Sequence, residues 1–484
     1  MRSLFIHILI LLFCLAGHSK ANGKQFPQPC CEALEAMLYY DFGKAETILQ
    51  SIEKKEPDHL ALPYLKQYKH FLAYLANDNL AQYEVFSQAH SQAMEALQTD
   101  PSGWHLVFSS NMLLQKSLVE FSRGNHFQGA IALYRSYNAF REIEPNNANT
   151  LWQLKLRGIF NILWDRIPDN LRFISNLAGY KGDYYMGIRQ LVAYNDKMLS
   201  PGLADESKII LLYVHQLFQQ DNEDLVELFE ETLSENNPPL THFLYSGILS
   251  RLSHGQKALE ILQTVPKNTL TRFPLLQYQH ARILLNAGYI DESKAEMSQF
   301  IRQYRGDSFC NDAYLQMSRI CYLNNEGDEA AEWSLKCLGK QPANTAIDRQ
   351  AIEECRLFNQ WQPTLLRARL YFDHGDYEKA LEWVSKPINM QQAQIEQQYR
   401  KGRIAHKKGE WAAAIQWYNR AIGLASKDAR YYGPYAALFC AEIKIAAKEY
   451  QEASRYLAMA RKLNTGEYKQ DIEFKIKNYQ KQFK

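Results

Sequence analysis

Gly375-Asp-Tyr377-Glu-Lys-Ala380 is echoed by Gly409-Glu-Trp411-Ala-Ala-Ala414, and the two closing alanines lie 34 residues apart. A small residue, an aromatic and an alanine held in one register at that period mark a chain of repeated helix–turn–helix units. The reason is steric. Two helices approach closely only where small side chains meet at the crossing, and aromatics fill the space where the next pair docks. What such an array builds is a surface.

Outward from this echo, the alanine of each second helix finds further units. Ala258 closes Gly255-Gln-Lys-Ala258, Ser293 stands in the alanine's place after Gly288-Tyr-Ile290, Ala330 follows Gly327-Asp-Glu, and Ala453 follows Tyr450-Gln-Glu. From 258 onward the steps are 35, 37, 50, 34 and 39 residues, and the 50-residue step predicts an insertion around Asp348 to Gln360, an extra turn of helix before Pro363. The N-terminal half is looser. Ala45 in Phe42-Gly-Lys-Ala45, Gly124-Asn-His-Phe127-Gln-Gly-Ala130 and Gly182-Asp-Tyr184 start second helices, with an inserted segment near 165–180 that opens at Pro168. At the C-terminus, Ile472, Ile476, Tyr479 and Phe483 run i, i+4, i+7, i+11 between lysines, the pattern of an amphipathic helix that closes the open end of a stack. The expectation is an all-α fold, a right-handed α-solenoid of about ten to eleven helix pairs. Its parts are irregular pairs over 22–200, a regular array over 201–466 and a capping helix over 467–484.

The first 21 residues stand apart. Arg2, an apolar run from Leu4 to Gly17, and Ser19-Lys20-Ala21 predict a secretory signal peptide cleaved after Ala21; the run is too short to span a bilayer. Phe13 is bulky where a lipoprotein signal ending at Cys14 needs a small residue, so no lipid anchor is expected. The chain has 55 basic and 53 acidic residues, and cleavage removes two bases, Arg2 and Lys20, and no acids. A neutral mature chain excludes nucleic-acid binding by bulk charge. No transmembrane segment is expected after signal removal. The expected location is outside the inner membrane of a Gram-negative bacterium, periplasmic or associated with the outer membrane.

Seven cysteines follow Ala21: Cys30, Cys31, Cys310, Cys321, Cys337, Cys355 and Cys440. They are scattered and contain no Cys-x-x-Cys, so neither a zinc site nor a thioredoxin-type motif is read. Cys321 and Cys337 fall at core positions, whereas Cys30-Cys31 is expected to be exposed to an oxidising compartment, where a disulfide is open to it with a partner that the sequence does not choose. Gly-x-Ser-x-Gly, His-Glu-x-x-His and a phosphate loop are all missing from the sequence, so no enzyme, catalytic residue, cofactor or metal is expected. His280 and His406 read as groove or core residues.

The repeats resemble the tetratricopeptide repeat (TPR) superfamily over nearly the whole mature chain, most specifically from Tyr399 to Leu424. A narrower block, Ile159 to Leu171 and Leu177 to Ile188, resembles the tetratricopeptide 39 proteins with their Iml-type relatives, and exported bacterial TPR proteins. The resemblance implies a protein- or peptide-binding scaffold. It also implies that the residue after the small position of each first helix faces the concave groove. That residue is Arg282, Arg319, Arg369 and Arg403, a column suited to gripping carboxylates or phosphates, with Tyr278, Tyr322, Phe372 and Tyr399 on the same predicted face. The opposing expectation is that each arginine pairs with a neighbouring acid such as Asp312 or Glu396 and stiffens the stack. Chaperone-tail recognition is not implied, since Arg403 and Tyr399 do not match the lysine and asparagine of that clamp. The functional expectation is an exported adaptor that binds a protein segment without turnover. The alternative is a lipid- or glycan-binding envelope protein that uses the inserted segment and the aromatic-rich N-terminal half.

Overall fold

A computed structural model of the 484-residue chain describes residues 26–97, 103–144, 150–166, 179–198, 200–218, 226–227, 229–230, 237–340, 343, 345–388, 390–425, 428, 430–466 and 468–481. The expected signal peptide with its cleavage position after Ala21, most of the expected inserted segment near 165–180, and Phe483 lie outside these residues. The described residues are helical throughout, with no strand among them. The chain separates into two compact units, one over 1–220 and 237–241, the other over 221–236 and 242–484.

The first unit holds α1 (Gln28–Leu38), α2 (Phe42–Lys55), α3 (Ala61–Ala76), α4 (Leu80–Ala96), α5 (Trp104–Ser122), α6 (His126–Arg141), α7 (Thr150–Arg166), α8 (Tyr184–Lys197) and α9 (Pro201–Phe218). Helix α1 packs with α2, α3 with α4, α5 with α6, and α7 with α8. The turns between them carry their own stops and starts. Asp41, Asn79 and Asp183 each accept a hydrogen bond from a backbone N–H in the first turn of the following helix, at 3.1, 2.9 and 2.8 Å, satisfying donors that a helix start leaves unpaired.

This unit departs from an open stack. In a solenoid each repeat touches only its neighbours, but α9 returns to pack against α1. Gly202 makes the closure possible: a Cβ there would fall 2.6 Å from the Cys31 carbonyl oxygen and 2.9 Å from the Glu35 nitrogen. Helix α9 thus belongs with the first unit. Cys30 and Cys31 are buried beneath it rather than exposed, and burial pushes the Cys30 thiol up to about 12. At the centre, Phe26, Tyr64, Phe108 and Trp152 meet at ring separations of 5.1 to 6.5 Å, in edge-on and stacked contacts.

Helix α10 (Pro239–Arg251) follows. The second unit then contains α11 (Gly255–Gln263), α12 (Lys267–Arg272), α13 (Pro274–Ala287), α14 (Ile290–Gln303), α15 (Cys310–Leu323), α16 (Gly327–Gly339), α17 (Ala346–Arg356), α18 (Pro363–His374), α19 (Tyr377–Val384), α20 (Gln391–Lys407), α21 (Trp411–Leu424), α22 (Tyr432–Ala446), α23 (Tyr450–Leu463) and α24 (Lys469–Lys481). Here α13 pairs with α14, α15 with α16, α18 with α19, α20 with α21, and α22 with α23.

The repeat alanines Ala258, Ala330, Ala380, Ala414 and Ala453, and Ser293 in the same place, are fully buried. Gly402 shows why the first-helix position must be small: a Cβ there would lie 2.5 Å from the Tyr418 ring. The cap forms as its sequence pattern predicts. Ile472 and Ile476 of α24 are fully buried in one cluster with Leu438, Ala441, Leu457 and Ala460, and Tyr479 packs beside them.

The insertion is larger than the extra turn expected from spacing. Helix α17 has 11 residues, and it is held from both sides. Thr345 caps it, its Oγ1 accepting from the Asp348 N–H at 3.1 Å. The Asp348 carboxylate in turn accepts from the backbone N–H groups of Phe309, Asn311 and Asp312 at 2.8, 3.0 and 3.2 Å, capping α15. A carboxylate on three donors at a helix start is favourable in both hydrogen bonding and dipole. With α17 inserted, α18 packs on α13 as well as on the pairs next to it in sequence.

Candidate functional site

The column of arginines splits into different environments. Arg282 on α13 pairs with Asp312 (Nε to Oδ2, 3.3 Å) and lies over the Tyr278 ring. Tyr278 is 1% exposed and donates its O–H to the same carboxylate at 2.6 Å, so it is a core residue and not a groove wall. Arg319 on α15 and Arg369 on α18 share a single acid, Glu354 of α17. Arg369 grips it with two parallel bonds, Nη1 to Oε2 at 2.7 Å and Nη2 to Oε1 at 2.8 Å. Arg319 pairs with Oε2 through Nη2 and donates Nη1 to Gln316 Oε1 at 3.1 Å. Burial would raise the Glu354 carboxyl, yet the two guanidiniums outweigh it and hold the group well below the usual carboxylate range. Tyr322 is occupied as well, since its hydroxyl donates to the Trp361 carbonyl at 2.8 Å and its ring packs on Phe358 and Trp361.

Arg403 is different. Among the described residues it forms no ion pair. Its guanidinium carbon lies 5.0 Å from the Phe372 ring centre and 4.5 Å from that of Phe439, and Nη1 donates to the Tyr399 hydroxyl at 3.2 Å. It faces a cavity of about 580 Å³ in the second unit, which Arg369, Phe372 and Tyr399 also line. That volume is in the range of ligand-binding clefts. The structure therefore brings together four of the eight sequence-predicted residues, Arg369, Arg403, Phe372 and Tyr399. Arg319 lines an adjoining cleft of about 70 Å³, shared with Glu354 and Trp361.

Sequence reasoning missed the opposite wall: Tyr431, Tyr435 and Phe439, with Tyr468 and Lys475. A signal was present. Tyr431, Tyr435 and Phe439 stand at i, i+4 and i+8, the spacing of one helix face, from the N-cap into the first helix of the next pair. Two acids also line the cavity, Asp373 and Asp471, and Lys475 pairs with Asp471 at 3.2 Å. Arg400 pairs with Glu396, its Nε donating to Oε1 at 2.6 Å. Among these cavity cations Arg403 makes no ion-pair contact with a described residue, and the Asp373 carboxylate in the same wall acts on it only from longer range. His406 lies behind this wall, hydrogen-bonded to the Tyr418 hydroxyl at 3.2 Å, and burial followed by the Arg403 charge holds its imidazole down to about 4. His280 is half-buried on α13 and burial lowers it too.

One group of metal-type donors gathers among the described residues: Cys321, Glu326 and Glu329. The Lys294 ammonium already occupies the cation's place, 2.6 Å from Glu326 and 3.3 Å from Glu329, and burial pushes the Cys321 thiol up to about 12. Ligation would need the thiolate. No helix among the described residues is long and apolar enough to cross a membrane.

The first unit has its own cavity, of about 170 Å³, walled by Leu114, Leu118, Ile159, Ile210 and Val214. Lys155 and Glu206 stand in this wall, paired at 3.1 Å and 1% and 5% exposed, with the Lys155 ammonium 4.1 Å over the Trp152 ring. Gln115 is there as well, and its Oε1 has no hydrogen-bond partner among the described residues.

The family described as tetratricopeptide repeat matches residues 397–429, from within α20 to just beyond α21; the match does not reach the block at 159–188. No curated protein matches the chain. Among solved structures, a chain of the APC/C hetero-tetramer Cut9–Hcn1 is 12% identical over 94% of this chain and 96% of its own, with a TM-score of 0.26. A chain of Naa15/Naa10 bound to HypK-THB is 14% identical over 88% of this chain and 67% of its own, with a TM-score of 0.20. At these TM-scores neither superposition bears on the arrangement of the helices. Residues 397–429 thus match a tetratricopeptide repeat, and the helix hairpins on either side of it bury the same alanine position.

Proposed function

We propose that this chain is an exported scaffold that holds an extended acidic segment of a partner protein in the cavity of the second unit, without turnover. The observation that carries this reading is Arg403: a guanidinium between two aromatic rings, open to a cavity and in ion-pair contact with no carboxylate among the described residues. Arginine there gives planar, paired hydrogen bonds to an Asp or Glu side chain. The tyrosines around it offer large contact area and hydroxyls at modest entropic cost, the composition of binding hot spots. Arg319 and Arg369 serve a different purpose, since both already pair with Glu354; they support the wall. A peptide array of acidic, neutral and basic extended sequences, probed with the purified chain, tests the reading. Retention of acidic peptides by the wild type and their loss with R403E supports it, and equal retention by both proteins sinks it.

Export follows from the leader alone, and the test is the N-terminal residue of the protein isolated from its own cells, expected at Asn22.

A second reading is favoured by the apolar cavity of the first unit: a small apolar ligand that carries one hydrogen-bond donor for Gln115. A cavity of about 150 Å³ takes a benzene-sized molecule, so a short aliphatic or aromatic group fits and a whole glycan does not. Binding there would be insensitive to salt and to R403E, and would be blocked by L118W; a salt-sensitive ligand would exclude this site.

A further inference from the structure

Of the seven cysteines, two from different helices are brought side by side. Cys337 is on α16 and Cys355 is on the inserted α17, which packs against α15 and α16. Both are buried in one core cluster with Leu315, Ala351 and Ile352. Ser334, one turn before Cys337, donates its hydroxyl to the Cys355 carbonyl at 3.3 Å, fixing the end of α17 to α16. Asn311 holds the other side, its Nδ2 donating to the Cys337 carbonyl at 2.6 Å. The two thiols are close enough for each to act on the other's titration, which raises Cys337 and lowers Cys355. No other pair among the described residues is arranged this way. Cys310 turns its thiol to the Gly306 carbonyl at 3.5 Å, Cys321 is beside Lys294, and Cys440 is beside Tyr456. Cys30 and Cys31 are consecutive on α1, where Cα atoms about 3.8 Å apart are closer than an ordinary disulfide uses.

We propose that Cys337 and Cys355 form an intrachain disulfide that pins the inserted helix α17 to the repeat it interrupts. The oxidant is a disulfide, either small, such as oxidised glutathione, or carried by a thiol–disulfide oxidase. The Cys355 thiolate attacks one sulfur of that disulfide, forming a mixed disulfide and releasing one thiol. Cys337 then loses its proton, attacks the Cys355 sulfur and releases the second thiol. Two protein thiols are oxidised and one disulfide is reduced to two thiols. The inference does not depend on what the groove binds. Its consequence for the groove is direct, because Cys355 is the neighbour of Glu354. Anchoring one residue on the core side holds the other between Arg319 and Arg369.

The test uses the full mature chain, refolded in a glutathione redox buffer and, separately, oxidised in its native state with oxidised glutathione. Free thiols are then alkylated under denaturing conditions, and the tryptic peptides are weighed. The expected result is one dominant linked species, Cys337–Lys340 joined to Gln350–Arg356 and lacking two hydrogens, with five of the seven thiols still alkylated. Oxidised wild type melts at a higher temperature than reduced, and this difference vanishes in C337A and in C355A. Alkylation of both Cys337 and Cys355 after refolding in the redox buffer overturns the proposal. So does a mixture in which these two pair no more often than the other five.

Discussion

Replacing Glu354 by glutamine removes the only negative charge that Arg319 and Arg369 share while keeping the side chain's size. Glu354 is 17% exposed, Arg319 7% and Arg369 22%, so solvent screens this triad only weakly. Removing one partner of a buried pair costs about 3–5 kcal/mol, because the remaining charge stays desolvated. The amide still offers one oxygen to Arg369, so the lower end applies, about 3 kcal/mol or roughly a 150-fold loss in the folding constant. The assay is urea unfolding followed by tryptophan fluorescence, with wild type and E354Q compared at pH 7 and at several acidic values. Acid supplies the second check. Glu354 has its folded-state pKa lowered, so its contribution is complete above the unfolded carboxylate value, near 4.3, and declines as pH falls toward the folded one. Wild type should thus lose stability on acidification below about pH 4 faster than E354Q, narrowing the gap between them. If E354Q unfolds within about 0.5 kcal/mol of wild type at pH 7, the triad is not what holds α15, α17 and α18 together, and that reasoning fails.

Three further outcomes are expected. K155M strands Glu206 in the first unit and should cost about 3–5 kcal/mol, while the double variant K155M/E206L restores most of it; the same urea assay decides, and equal single and double variants would refute it. G402V drives a branched side chain into the Tyr418 ring and should destabilise by about 1–3 kcal/mol, read as a fall in melting temperature. His406 is held neutral in the fold down to about 4. Between there and the ordinary histidine value of about 6.5 the unfolded chain binds the extra proton, so stability rises with pH across that window, and H406F should flatten the rise.

The sequence carried more of the fold than of the site. Periodicity and small residues reveal each hairpin, because close helix crossing can be met in few ways: Ala380, Ala414 and Gly402 stand where only a small side chain fits. The cap at Ile472 and Ile476 was legible for the same reason, since an apolar stripe must be covered. Closure of α9 onto α1 was not, because Gly202 in isolation gives no sign of the helix that will approach it. The arginine column was visible as a register. Whether each guanidinium is neutralised depends on an acid brought in from elsewhere, and one insertion decides it: α17 delivers Glu354 to Arg319 and Arg369 and leaves Arg403 alone. Spacing marked the insertion's place but carried no information about which way its Glu354 would turn.

The central claim is that Arg403 and the aromatic walls around it receive an acidic segment. Fluorescence anisotropy tests it most directly, with a labelled acidic peptide chosen from the array, wild type and R403E, at low salt and at about 0.5 M. Affinity for wild type should fall with salt, and R403E should bind at least about tenfold more weakly while unfolding in urea like wild type. Equal binding by the two proteins, or binding that salt leaves unchanged, would contradict the account.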